Sequence, residues 1–395
     1  MKIVIDEKIP FIRGAFERWA DVVYSSGRNI SSRMVADADA LIVRTRTDCN
    51  AALLGGSSVK IVASATIGFD HIDIRWLEDH GIKWANAPGC NSGSVMQYIT
   101  SLLFFLARKH NLDLPSMTLG IVGVGNVGSK VERAVRALGM RVLLNDPPRQ
   151  RRENRPVSDT PEFHSLGKLL TESDIITLHV PLTFDGVDKT FHLIDNHSLA
   201  LMKQSAILIN SSRGEVVDNP ALRETLRKGR LGGAALDVWE GEPSADPVLV
   251  DLADIATPHV AGYSVDGKAN ATINSVRVVA KELCLPLTDW LPAHLPQPAE
   301  PLINLASFAD NGPGMAGTSL GHSRKIHASS LDLVARAVHH TYPIEEDDLL
   351  FRNGKENFEY LRDNYRIRRE FGSYTVKTHD TEAAQIMADL GFIIK

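Results

Sequence analysis

One stretch limits what this chain can become more than any other: a glycine triplet set between a short apolar run and an amphipathic one. Residues Thr118 to Asp146 read TLGIVGVGNVGSKVERAVRALGMRVLLND. Leu119 to Val124 has the β-branched character of a buried strand. Gly123, Gly125 and Gly128, with Asn126 and Val127 between them, match G-x-G-x-x-G. Val127, Val131, Ala134, Val135 and Leu138 then recur at helical spacing up to Gly139, a natural stop. A second strand over Arg141 to Asn145 leads to Asp146.

Each part has a physical purpose. Gly123 permits a sharp turn, Gly125 leaves room for a pyrophosphate, and Gly128 lets the helix pack on the strand. Free N–H groups at the helix start favour phosphate. Asp146, 18 residues past Gly128, stands where an acid can accept both hydroxyls of an adenosine ribose. A carboxylate there repels a 2′-phosphate, which points to NAD over NADP. Against that choice stands a basic run, Pro147 to Pro156, with Arg149, Arg151, Arg152 and Arg155, read here as a solvated loop.

The bulk properties set broad bounds. A chain of 395 residues exceeds one ordinary core and implies two or three domains. A net charge of −5 gives no electrostatic reason to expect nucleic acid as a partner. The start, MKIVIDEKIP, lacks the uninterrupted apolar core of a signal peptide. The longest apolar stretch, Tyr98 to Ala107, is too short to span a bilayer. Cys49, Cys90 and Cys284 are few and widely spaced, with no metal-ligand pattern, as in a reducing cytoplasm.

Strand-like and helix-like segments alternate along the rest of the chain. Strands are expected at Lys2 to Asp6, Ala40 to Arg44, Lys60 to Ser64 and Lys83 to Asn86. Helices are expected around Phe11, Phe16 and Trp19, and from Ile74 to His80. A long helix from Ser92 to His110 leads to the glycine stretch, and more strands follow at Asp174 to Val180, Ala206 to Asn210, Gly233 to Val238 and Ile255 to Val260. The pattern is that of parallel sheets, whose ligands gather beyond the carboxyl ends of the strands. Arg44, Thr45, Thr66 and Gly68 fall at such ends, although any single threonine there is more often turn chemistry. Five prolines between Pro286 and Pro301 suggest a linker. A loop over Phe308 to Ser323 follows. Helices over Ile326 to Tyr342, Asn357 to Phe371 and Thr381 to Leu390, with a strand over Tyr374 to His379, complete a third α/β module.

Three charged residues also lie just past strand ends: Arg213 in NSSRG, Glu242 in DVWEGEP and His259 in TPHVAGY. A histidine titrates near neutrality and can take a proton from an alcohol. A carboxylate beside it favours the imidazolium and fixes the ring, and an arginine grips a substrate carboxylate with two parallel donors. Taken singly, each residue is more often ordinary: the chain has 14 histidines, and an acidic turn is usually just solvated.

The segments GIVGVGNVG, HVPLT, ILINSSRGEVVD, ALDVWEGEP and TPHVAGYS, spread over roughly residues 40 to 285, resemble the signature blocks of the NAD-dependent D-2-hydroxyacid dehydrogenases. That resemblance implies an α/β fold. A Rossmann-type doubly wound parallel sheet is expected over 96–264, with a smaller flavodoxin-like substrate domain over 1–95 completed by about 265–285. A C-terminal α/β dimerisation domain is expected over 286–395. It implies Arg213 as the substrate-binding arginine, His259 as acid/base and Glu242 as its partner. It further implies that Val180, Pro181, Ser211, Ser212, Arg213, Asp237 and Gly262 line the cofactor. Within the family, DPPR at Asp146, the run from TPHVAGYS to Lys268 and the tail around Tyr365 to Glu370 resemble a member acting on a small phosphorylated hydroxy acid. By position, Thr45, Thr66 and Tyr263 would then contact substrate, with Arg44 beside them. Gln97 departs from the glutamate of many relatives. Two alternatives stay open: a sister dehydrogenase for another 2-hydroxy acid, such as phosphoglycerate, or a dinucleotide-sensing binding protein.

Overall fold

A computed structural model describes residues 1–153, 163–305 and 326–395. The expected loop over Phe308 to Ser323, and Arg155 of the basic run, lie outside the described residues. By their contacts the described residues form two compact units, Met1–Asn91 with Ser264–Gln297, and Ser92–Tyr263 with Pro298–Lys395.

The first unit holds β1 (Lys2–Asp6), β2 (Asp21–Ser25), β3 (Ala40–Val43), β4 (Ile61–Ser64) and β5 (Lys83–Ala85). They pair in the order β2-β1-β3-β4-β5, every pair parallel, which is the flavodoxin-like order. β3 and β4 are buried along their whole length, as expected where both faces of a sheet are covered. Val276 and Val279 of the helix Val265–Glu282 share a core with Ile3, Ile5, Ile42 and Ile61.

One expectation fails in this unit. No helix forms around Phe11, Phe16 and Trp19; the chain runs through turns. Phe11 (φ 63°) and Gly14 (φ 86°) are left-handed, a backbone state that breaks a right-handed helix. Phe16 is nevertheless buried in the core with Ile9 and Ile12, whereas Trp19 is exposed, so these three aromatics did not mark one buried helical face. The strand β2 that follows gave no sequence signal strong enough to be expected.

The second unit holds β6 (Thr118–Val122), β7 (Arg141–Asn145), β8 (Ile175–Leu178), β9 (Ile207–Asn210), β10 (Gly233–Leu236) and β11 (Ile255–Ala256). Their order is β11-β10-β9-β8-β6-β7, all parallel. Phe163 adds a single parallel bridge to Leu144, beyond β7. The order in which successive strands are added therefore reverses between β6 and β8, the switch point at which such sheets bind ligands. The basic run is not the expected loop. Pro147–Arg152 is a helix, capped by the Asp146 carboxylate on the N–H of Arg149, with proline at the start where its missing N–H costs nothing.

The same unit carries β12 (Leu302–Asn304), β13 (Thr375–Lys377) and β14 (Ile393–Ile394), a small parallel sheet. Helices Ala328–Thr341 and Thr381–Leu390 form as expected. The helix expected over Asn357 to Phe371 stops at Asp363, and the helix Ile344–Asn353 was not anticipated. Val334, Ala337 and Val338 share a core with Leu102 and Leu106 of the helix Ser92–His110. Phe351 and Phe358 join Trp239 in another. Residues from Pro298 onward thus bury their apolar side chains against residues 92–263. No helix among the described residues is long and apolar enough to cross a membrane.

Candidate active site

The dinucleotide loop is built as its glycines require. Gly123 is left-handed (φ 88°), and a Cβ there would sit 2.6 Å from the His179 carbonyl and 2.8 Å from Val180. A Cβ on Gly128 would lie 2.1 Å from the Gly123 carbonyl, so the helix Asn126–Ala137 can approach the turn only with glycine there. Gly125 differs. A Cβ there would meet nothing within 4 Å, and Gly125 and Asn126 are exposed. No side chain caps this helix start, so its first N–H groups and positive end face an open lip suited to a pyrophosphate.

Asp146 faces that loop from the end of β7. One carboxylate oxygen accepts the Val124 N–H at 2.8 Å and the other the Arg149 N–H at 2.8 Å, each keeping a lone pair for a ribose hydroxyl. Arg149 is not a free cation. It binds Glu153 at 2.8 Å and the Val124 carbonyl at 2.8 Å, so it braces the loop. The hydroxyl of Ser211, just past β9, is buried with no hydrogen-bond partner. An open glycine lip, an uncapped helix start and an orphaned hydroxyl, all at carboxyl ends of one parallel sheet, fit a bound dinucleotide.

His259 and Glu242 sit past the carboxyl ends of β11 and β10. His259 Nδ1 lies 2.7 Å from Glu242 Oε2, and both side chains are partly exposed. His259 is left-handed (φ 59°), a strained state for this residue type that the surrounding turn must enforce. The enforcing group is Asp237. Its carboxylate accepts Thr257 Oγ1 at 2.6 Å, Val260 N at 2.8 Å and Ala261 N at 3.0 Å, and its carbonyl accepts the His259 N–H at 2.7 Å. Burial pushes the Asp237 carboxyl up to about 6, against the pull of His259 and of those hydrogen bonds. Asp237 is 1% exposed, so its role here is to hold the turn that presents His259. Tyr98 extends the web, with its hydroxyl 2.9 Å from that of Thr257.

Glu242 is fixed in turn by the Trp239 N–H, 3.0 Å from its other oxygen. Burial works to raise its carboxyl, but the hydrogen bond and charge of His259, the Trp239 N–H and Arg362 together hold it below the usual carboxylate range. Glu240, the other acid of the turn, binds His192 at 2.5 Å and the Asn219 N–H at 2.9 Å, which makes it structural.

Arg213 follows β9. Asn210 shapes that turn by accepting Ser212 N at 3.0 Å and donating to the Arg213 carbonyl at 2.8 Å. A Cβ on Gly214 would fall 2.0 Å from the Trp239 carbonyl. The Arg213 loop and the Glu242 loop are therefore packed backbone to backbone. Among the described residues the only partner of the Arg213 guanidinium is the Ser212 carbonyl at 2.8 Å, which leaves most of its donors open.

Val180 and Pro181 follow β8 next to Gly123, and Gly262 and Tyr263 close the His259 turn, with the Tyr263 N–H on the Val260 carbonyl at 2.9 Å. The remaining expected residues belong to the first unit. Arg44 and Thr66 follow the adjacent strands β3 and β4. Arg44 Nε lies 3.0 Å from the fully buried Asp6 carboxylate. Thr45 is exposed. The Thr66 hydroxyl lies 2.6 Å from that of Ser64 and donates to the Gly68 carbonyl at 3.0 Å, the turn chemistry that a lone threonine suggests.

The C-terminal segment supplies contacts that its tail motif, Tyr365 to Glu370, did not itself reveal. Arg368, 2% exposed, donates to the Ala261 carbonyl at 2.5 Å. Arg362 donates to the Tyr263 hydroxyl at 3.0 Å. Asp348 accepts the Ala256 N–H at 2.7 Å. Gln97, buried in the helix Ser92–His110, donates to the Arg369 carbonyl at 2.9 Å, so its amide serves packing within this unit.

Fold and site together define a D-2-hydroxyacid dehydrogenase of the NAD-dependent kind. Residues 105–261 match the D-isomer specific 2-hydroxyacid dehydrogenase NAD binding domain, and residues 319–391 match a domain of unknown function. A D-lactate dehydrogenase from Aquifex aeolicus, solved with NAD and lactic acid, is 27% identical. It superposes with a TM-score of 0.57 over 72% of this chain and 96% of its own. A Bacteroides fragilis erythronate-4-phosphate dehydrogenase is 44% identical over 95% of this chain and 99% of its own length. The Escherichia coli protein of that name is 40% identical over 99% and 98%. The chain belongs to the erythronate-4-phosphate dehydrogenase family.

Proposed function

We propose that this protein oxidises 4-phospho-D-erythronate at its 2-hydroxyl to 2-oxo-3-hydroxy-4-phosphobutanoate, as a step towards pyridoxal 5′-phosphate. The observation that carries this reading is the His259–Glu242 pair, 2.7 Å apart, on loops packed against that of Arg213. Bound NAD supplies the hydride acceptor. Arg213 grips the C1 carboxylate in a two-pronged pair, which fixes C2 and its hydroxyl. Nε2 of His259 takes the hydroxyl proton as the C2–H bond breaks, and Glu242 stabilises the imidazolium that forms. In reverse, the same imidazolium returns the proton and Arg213 polarises the 2-oxo group. Gly123, Gly125, Asn126, Val127 and Gly128 cradle the pyrophosphate. Asp146 would take the ribose, Val180, Pro181, Ser211, Ser212 and Gly262 would surround the rest, and Asp237, buried behind them, would act by holding the His259 turn. Arg44, Thr45, Thr66 and Tyr263 are the proposed substrate contacts. Three free cysteines support a reducing, cytoplasmic setting, and a homodimer built through the C-terminal segment is the proposed assembly.

Substrate deuterated at C2 tests the chemistry. Label appearing in the reduced nicotinamide, with slowed turnover in a single-turnover experiment, supports oxidation at C2. Label retained in the product would reject it.

A further inference from the structure

Arg362 lies on the helix Phe358–Asp363, 99 residues along the chain from Tyr263, yet its Nη2 is 3.0 Å from the Tyr263 hydroxyl. Its guanidinium lies 5.5 Å from the centre of the Tyr263 ring and 5.7 Å from that of Phe358. Its Nε is buried with no hydrogen-bond partner. Among the described residues no carboxylate comes within ion-pair distance of it. A partly buried arginine normally finds an acid, because burial of an unmatched charge is costly. An arginine set near two aromatic rings, whose charge no carboxylate among the described residues meets in an ion pair, is instead arranged to receive an anion.

The position of that charge is informative. Tyr263 is four residues past His259 in the same turn. Arg362 is also near enough to Glu242 to be among the groups that hold its carboxyl down. The second unit thus presents two guanidinium groups without carboxylate partners at its catalytic edge, Arg213 and Arg362. Arg44 in the first unit is different, since its charge is already met by Asp6 at 3.0 Å. The substrate in the reading above carries two anionic groups, a carboxylate next to C2 and a phosphate two carbons further on.

We propose that Arg362 and the Tyr263 hydroxyl form a seat for the substrate phosphate, so that the C-terminal segment contributes a specificity-determining cation to the active site. This rests on the proposed 4-phosphoerythronate reaction. Arg213 fixes the carboxylate end. The Tyr263 hydroxyl, accepting from Arg362, holds the guanidinium in place, and the remaining guanidinium donors add charge-assisted hydrogen bonds to phosphate oxygens. Plain erythronate leaves these donors unanswered, and a site with unanswered buried donors discriminates strongly against the ligand that lacks their partner.

The test uses the full chain and compares kcat/KM for 4-phosphoerythronate and erythronate in wild type, Arg362→Gln, Arg362→Lys, Tyr263→Phe and Arg44→Gln. Arg362→Gln is expected to lower the ratio of the two values by about tenfold or more, the worth of one charge-assisted hydrogen bond. Arg362→Lys should recover part of that ratio because it keeps the charge. Tyr263→Phe should lower it less, and Arg44→Gln less than Arg362→Gln. Inhibition by inorganic phosphate should weaken in parallel. If Arg362→Gln lowers both substrates equally, or keeps the wild-type ratio, the seat is rejected and the reaction reading stands. A wild type that treats the two acids alike rejects the reaction reading itself, and the seat with it.

Discussion

Nδ1 of His259 lies 2.7 Å from Oε2 of Glu242, while the other oxygen of Glu242 accepts the Trp239 N–H at 3.0 Å. The carboxylate therefore holds the imidazole and is itself held by backbone. His259→Ala should lower turnover by roughly 10²- to 10⁴-fold with NAD affinity nearly intact, measured by stopped-flow kinetics and by titration of nicotinamide fluorescence. Glu242→Gln should cost less, since an amide still hydrogen-bonds the ring but no longer stabilises the imidazolium that forms during turnover. The Glu242 carboxyl is held below its ordinary value of 4.5. Its contribution to stability is therefore present above that value and lost as pH falls through the lowered one. Acid unfolding of the glutamine variant should lack that component.

Arg213→Lys should fail although it keeps the charge. A lysine ammonium cannot reproduce a planar two-pronged grip, so KM for the hydroxy acid should rise and kcat fall. Unchanged steady-state constants would place the substrate carboxylate elsewhere.

Asp146→Ala should show two separate effects. Loss of the ribose acceptor should weaken NAD binding and narrow its advantage over NADP in calorimetric titrations. Loss of the cap on the helix Pro147–Arg152 should lower unfolding free energy by about 0.5–2 kcal/mol, measured in urea without cofactor. A wild type that already prefers NADP would overturn the ribose assignment.

Arg368→Met should destabilise the fold by about 1–3 kcal/mol, because it removes a buried charged donor, while Asp347 keeps Arg366 at 3.1 Å. Asp347, also buried, lies among the groups that face Arg368, with Tyr342 and Tyr365. The Ala261 carbonyl also loses its donor, so turnover should fall through a loosened His259 turn. An unchanged urea midpoint and turnover would remove this buttressing role from the C-terminal segment.

The dinucleotide half of the site was legible because its signal is local. Strand, glycine turn, helix and acid fall within residues 118–146, and β7 and the helix Ser92–His110 have the expected bounds. Arg213, Glu242 and His259 were singled out through motifs that follow strand ends, and the fold does place His259 beside Glu242. Around Phe11 to Trp19 the sequence misled, since left-handed residues at Phe11 and Gly14 break any helix, and Trp19 is left exposed. Arg362 and Arg368 were beyond sequence reading for another reason. Their partners, Tyr263 and Ala261, lie 99 and 107 residues away, and no periodicity encodes a contact at that range. Asp237 resembled a cofactor residue by position, whereas its grip on three groups of the His259 turn became visible only in the fold.

The most direct measurement is a substrate panel with the purified full-length protein, following nicotinamide absorbance with NAD. 4-Phospho-D-erythronate should be oxidised with a kcat/KM more than about tenfold above those of erythronate, glycerate, 3-phosphoglycerate and lactate, a margin that one charge-assisted contact can supply. NAD binding with no turnover of any acid, or equal use of erythronate and its phosphate, would contradict the account.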